Sequence, residues 1–274
     1  MKRLLFFSML LCSISISEST FAVEPFYDLL PIDSEITLLP WEKVDEVIPR
    51  KAIFTMIDVE SGASFQVQRR AGSKHADIQP LTKEDTRVLK GIYEEWSWKR
   101  RAVIVLYEGR TIAASMNGMP HGAGALDNGF NGHFCLHFLN STTHKTPTPD
   151  PAHHLMIMKA SGQLDHFLMN QTPDELVDSL MLAINNTDTS ILKKTLSKNI
   201  TKTDLKALSR LSFTKWKVTK STEKTFAQLI HTNVEVYIKD AGVITTTVEI
   251  TAKKNPITNR WELEIPNLLT IANH

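Results

Sequence analysis

The stretch that most restricts how this chain folds is Gly132-His133-Phe134-Cys135-Leu136-His137-Phe138. Its strict alternation specifies a β-strand, because successive strand side chains point to opposite faces. Phe134, Leu136 and Phe138 then share a face that must be buried. His133, Cys135 and His137 share the other, with neighbours about 7 Å apart. A thiol between two imidazoles, turned away from the aromatic face, makes this strand the first place to look for chemistry.

The N-terminus points to export. Met1-Lys2-Arg3 is a basic start, Leu4 to Leu11 is apolar, and Thr20-Phe21-Ala22 fits the small-x-small pattern of a cleavage site. The apolar run is shorter than the ~20 residues that a membrane span needs. Residues 1–22 are therefore expected to be a cleaved signal peptide, giving a secreted or cell-envelope protein. Leu10-Leu11 lacks the small residue expected before a lipidated cysteine at Cys12. Losing Lys2, Arg3 and Glu18 takes 31 basic and 30 acidic residues to 29 and 29. A chain so balanced, without a basic block, offers no basis for nucleic-acid binding. Cys135 becomes the only cysteine, so no internal disulfide forms. A lone exported cysteine is an intermolecular bridge, an inert buried thiol or a reactive one. Its place on the histidine face argues for reactive or metal-bound.

Composition changes near residue 170, since eight of ten histidines precede it and Lys, Thr and Ile dominate afterwards. The expected organisation is a lead-in over 23–51, a mostly β domain with a few helices over 52–168, and a smaller α+β domain over 172–274. In the first, strands are expected at 52–59, 64–69, 102–107 and 110–116. Thr82 caps a helix running to about Trp96, and Asp150-Pro151 opens another. Residues 71–77 form a loop bearing His75 and Asp77, and a Gly-rich loop from Asn117 to Gly129 leads into the alternating strand. In the second, Thr172-Pro173-Asp174-Glu175 starts an amphipathic helix reaching about Ile184. Short helices near 188–197 and 202–210 follow, and then an antiparallel meander over 212–220, 224–238, 242–253 and 259–265. This order is similar to small NTF2-like or cystatin-like domains and carries no cluster of ionisable groups.

The chemistry is thus expected from Cys135, His133 and His121, with His137, His75 and Asp77 as further candidates. Two mechanisms suit these residue types. In one, a cysteine thiolate activated by an imidazole attacks a carbonyl, with loop N–H groups stabilising the oxyanion. In the other, His133 and His137 with Cys135, or with His75 and Asp77, hold a catalytic zinc; the thiol mechanism needs no cofactor. His144, His153 and His154 are expected to be solvated or supporting. Arg100 or Arg101 offers a fork for a substrate carboxylate, or forms a solvated pair.

His121-Gly122, a Gly-containing loop, and then Gly132-His133-Phe134-Cys135-Leu136 resembles the signature of L,D-transpeptidases of the YkuD type. The resemblance covers roughly 52–140. It implies a cysteine acyl transferase or hydrolase acting on peptidoglycan stem peptides, with Cys135 as nucleophile and His133 and His121 at the two histidine positions. Gly132 stands where that pattern has Ser or Thr, Phe134 where it has Gly, and the Arg or Asn after the cysteine is missing. The segments 72–77 and 117–122 also look similar to exported bacterial proteins joined to peptidoglycan-binding modules. A zinc peptidase or amidase and a non-catalytic wall-binding protein are the other expectations for this chain.

Overall fold

Six short antiparallel strands close a small barrel. The computed structural model describes residues 35–143, 147–197, 200–224 and 226–273. The segment expected to be a signal peptide, Cys12, the start of the expected lead-in and His144 lie outside them. The barrel strands are β1 (Ile53–Asp58), β2 (Ser64–Ala71), β3 (Ala76–Pro80), β4 (Arg100–Tyr107), β5 (Arg110–Asn117) and β6 (Phe134–His137). They follow the closed order β1-β2-β3-β6-β5-β4, and every pairing is antiparallel. A barrel this narrow is filled by its inward side chains. Phe54, Met56, Phe65, Val67, Ile78 and Val103 meet Val105, Ile112, Met116, Phe134 and Leu136 there, all at most 3% exposed.

Helices close over the barrel. In α1 (Trp41–Val47), Trp41 and Val44 join the barrel cluster, and the Trp41 indole N–H donates to Ser73 O at 3.0 Å. The end of the lead-in is therefore part of the barrel's packing. α2 (Lys83–Tyr93) starts at the Thr82–Asp85 capping box and ends three residues before Trp96, where Glu94 takes φ +57°. Residues 76–80, expected in part as loop, are instead β3. Five buried residues in a row need paired backbone groups, and β3 finds them by filling the gap between β2 and β6.

α3 (Pro151–Ala160), capped by Asp150, lies across the outer face of β4 and β5. α4 (Leu164–Met169), α5 (Pro173–Asn186), α6 (Thr189–Thr195) and α7 (Lys202–Leu208) follow it. The second sheet comprises β7 (Leu211–Lys224), β8 (Ala227–Ile238), β9 (Gly242–Lys254) and β10 (Trp261–Glu264), in the order β10-β9-β8-β7. α8 (Pro266–Ala272) is the last described element. α4 and α8 have no counterpart among the elements expected from the sequence. One apolar cluster runs from Ala102 and Ala113 on the barrel's outside, through Leu155 and Leu180, to Ile230 and Ile250 of the second sheet. Among the described residues strand outweighs helix, 38% against 30%, so the fold is mostly β. Among the described residues no helix is long and apolar enough to cross a membrane.

One polar link anchors the barrel. Arg101 grips the fully buried Asp58 with Nε and Nη2, both at 2.7 Å, and Ser61 N and Oγ donate to the same carboxylate. Removing one member of a buried pair strands the other charge at a cost of several kcal/mol. Arg101→Leu should therefore lose about 3 kcal/mol in denaturant unfolding, with the Asp58→Leu/Arg101→Leu double variant recovering much of it. A loss below about 0.5 kcal/mol would place this pair among inconsequential surface bridges.

Candidate functional site

β6 turns Phe134 and Leu136 into the barrel and Cys135 and His137 outward, as alternation requires. Phe134 thus points away from the thiol. Pairing sets the neighbours: Asp77 lies opposite Cys135 on β3, and Ser115 lies opposite His137 on β5. The Gly-rich loop folds back along β6 through a two-way bridge, His121 N to His133 O at 2.9 Å and His133 N to His121 O at 2.8 Å. Gln79 Oε1 accepts from Ala125 N at 2.9 Å, pinning the same loop to β3. Gly122 allows the close approach: at its φ of +60° a Cβ would lie 2.3 Å from His133 Cε1.

This folding brings His121 Nε2 to 3.3 Å from Cys135 Sγ. His121 Nδ1 lies 2.8 Å from Met119 O. A carbonyl only accepts, so Nδ1 carries a proton, and in the neutral ring this leaves the lone pair of Nε2 facing the thiol. Trp98 packs on the His121 ring at 5.0 Å, and His133 meets it edge-on at 4.6 Å. His133 donates from Nδ1 to Ala123 O at 3.0 Å, with Nε2 3.7 Å from Asp77 Oδ1.

His75 approaches from the residue just before β3. Its Nδ1 donates to Thr142 O at 2.8 Å, and its Nε2 faces Asp77 Oδ1 at 3.3 Å. Two acceptors on one ring favour the imidazolium. Burial opposes the charge, but Asp77 and Cys135 outweigh it and raise the pKa from 6.5 to about 10. His75 stacks on His137 at 4.5 Å, and His137 stacks on His153 of α3 at 3.7 Å, each pair 10° from parallel. Burial first, then the charges around them, pushes His137 and His153 well below the ordinary imidazole value. His153 Nδ1 bonds Ser115 Oγ at 2.9 Å, while His137 Nδ1 has no hydrogen-bond partner among the described residues.

These three histidines set a pH window for stability. The His75 contribution is complete below pH 6.5 and is lost as pH rises through about 10. His137 and His153 oppose it on the acid side: the unfolded chain takes up protons below 6.5 that the folded one refuses, so stability falls there. Melting temperature against pH should peak near 6.5, and His75→Gln should flatten the alkaline limb. An unchanged alkaline limb in that variant would contradict the charge assignment.

Cys135, His121, His133, His75, Asp77 and His137 thus gather on one outer patch of β3, β6 and the adjoining loop. The two arginines are engaged elsewhere. Arg101 is taken up by Asp58, and Arg100 donates to Asp150 Oδ2 at 2.7 Å and Trp98 O at 2.9 Å. His153, expected only to be solvated or supporting, is buried and continues the stack. Nothing local marks it, because its contacts are with Ser115 and His137, far away in the chain. Ligand-capable atoms of His75, Cys135 and His137 lie within 4.8 Å of one another. No family model, curated protein or solved structure matches this chain.

Proposed function

We propose that the protein is an exported cysteine acyl transferase or hydrolase of L,D-transpeptidase-like chemistry, acting on peptidoglycan stem peptides. The observation that carries this reading is Cys135 Sγ at 3.3 Å from the proton-accepting nitrogen of a His121 ring oriented by Met119 O. In the proposed cycle His121 Nε2 takes the thiol proton, and sulfur bonds to the acyl carbon of a stem-peptide amide. The C–N bond then breaks as His121 returns that proton to the leaving amine. The thioester is next attacked by an amine, giving transfer, or by water, giving hydrolysis. Cationic His75, held by Asp77, faces the sulfur from the other side and complements negative charge there. His133 braces the His121 ring and its backbone.

A direct test incubates the protein with a stem tetrapeptide and follows the intact mass. A thioester adduct on Cys135 together with a released C-terminal residue supports the proposal. Absence of adduct and of release across stem peptides of varied composition overturns it.

The 4.8 Å cluster of His75, Cys135 and His137 favours a second reading, a zinc peptidase or amidase that also draws on Asp77 and His133. Imidazole lone pairs lie in the ring plane. The nearly parallel planes of His75 and His137, with centroids 4.5 Å apart, do not meet at one ion unless a ring turns. The thiol reading therefore ranks first, and turnover that survives a chelator would separate the two.

A further inference from the structure

Three of the five tryptophans, Trp96, Trp98 and Trp216, line one cleft of about 680 Å³ between the barrel and the second sheet. That volume is typical of a small-molecule site, and such sites join apolar walls to a few fixed polar groups. The aromatic walls come from both parts of the chain. Trp96 and Trp98 follow α2, whereas Trp216 belongs to β7. The polar groups are held in place: Trp216 Nε1 donates to Asp178 Oδ1 at 2.7 Å, and Arg100 is paired with Asp150. Trp98 is 50% exposed, so part of its ring lies open at the cleft.

The cleft and the thiol share a wall. Trp98 packs on His121, and Met119, whose carbonyl orients His121, also lines the cleft. A ligand lying here therefore borders the two residues, Trp98 and Met119, that hold the His121 ring.

We propose that this cleft binds a saccharide, placing the glycan portion of a glycopeptide next to the nucleophile. The inference deepens the acyl-transfer reading and rests on it for the role of the cleft, though not for the binding itself. The ligand class follows from the lining. Lys99 and Arg100 balance Asp150 and Asp178, so no net charge selects a polyanion, for which phosphate contacts would need an excess of cations. Flat indole faces suit the C–H face of a pyranose ring, and fixed carboxylates accept from its hydroxyls. The second sheet thereby contributes to the site, since β7 supplies Trp216 while α5 supplies Asp178.

The test titrates the full chain carrying Cys135→Ala with the β-1,4-linked tetramer of N-acetylglucosamine, reading tryptophan fluorescence and heat. Using the variant without the thiol separates binding from turnover. Saturable binding is expected, weakened at least tenfold by Trp98→Ala and by Trp216→Ala, about 1.4 kcal/mol each. Trp261→Phe, outside the cleft, should leave it unchanged. No saturation at up to about 10 mM, wild-type affinity in both cleft variants, or binding of a stem peptide there without the saccharide would overturn the inference. If binding fails while wild-type Cys135 still forms its thioester, this inference falls and the acyl-transfer reading stands. Binding beside an inert thiol would do the reverse.

Discussion

Replacing Cys135 with alanine is expected to abolish stem-peptide turnover, by on the order of 10⁴-fold or more, the usual consequence of deleting a nucleophile. The fold should survive. Cys135 is 6% exposed and sits on the outer face of β6, so exchanging its sulfur for hydrogen leaves no large void in the barrel. The variant should accordingly keep the wild-type melting temperature within a few degrees and show no adduct in intact-mass measurements. Turnover in Cys135→Ala equal to wild type would make the thiol a bystander and favour a zinc reading that uses His75, Asp77, His133 and His137 without it.

Gly132→Ala should have the second-largest effect, through the backbone rather than a functional side chain. Gly132 holds φ +108°, and an added Cβ would lie 2.4 Å from His121 O and 3.0 Å from Gly122 O. Those atoms belong to the bridge that holds His121 over Cys135, and backbone cannot swing aside as a long side chain can. Forcing alanine into this conformation costs about 1–3 kcal/mol. Relief requires the His121 segment to move. A displacement near 1 Å in a reacting geometry is worth about 10²-fold in rate, so kcat/KM should fall by that order while much of the fold persists. Kinetics together with a melting curve decide the matter. A normal rate with normal stability would show that the His121–His133 bridge is dispensable.

How much of the structure is readable in the residues differs from element to element. β6 is legible because its alternation is uninterrupted and its two faces differ in chemistry. The paired carboxylate is half legible. His75 and Asp77 stand out as polar groups near a glycine, yet Ala76-Asp77-Ile78-Gln79-Pro80 also alternates. Gly72-Ser73 and Pro80 make it look like loop, and only the register with β6 sets Asp77 across from Cys135. The helix starts at Thr82, Asp150 and Thr172 follow from local capping chemistry, which needs no partner from elsewhere. The stack through His153 and the cleft between Trp98 and Trp216 depend on how α3, α5 and β7 pack on the barrel. Local periodicity carries no information about such packing.

The central claim is that His121 activates Cys135. Its most direct test is the rate of Cys135 alkylation by iodoacetamide at pH 7 in wild type and in His121→Ala, read by intact mass with and without chelator. Activation by His121 predicts rapid alkylation of wild type, insensitive to chelator, and a rate at least about tenfold lower in the variant. Equal rates in the two proteins, or a thiol that reacts only once chelator is added, would contradict it.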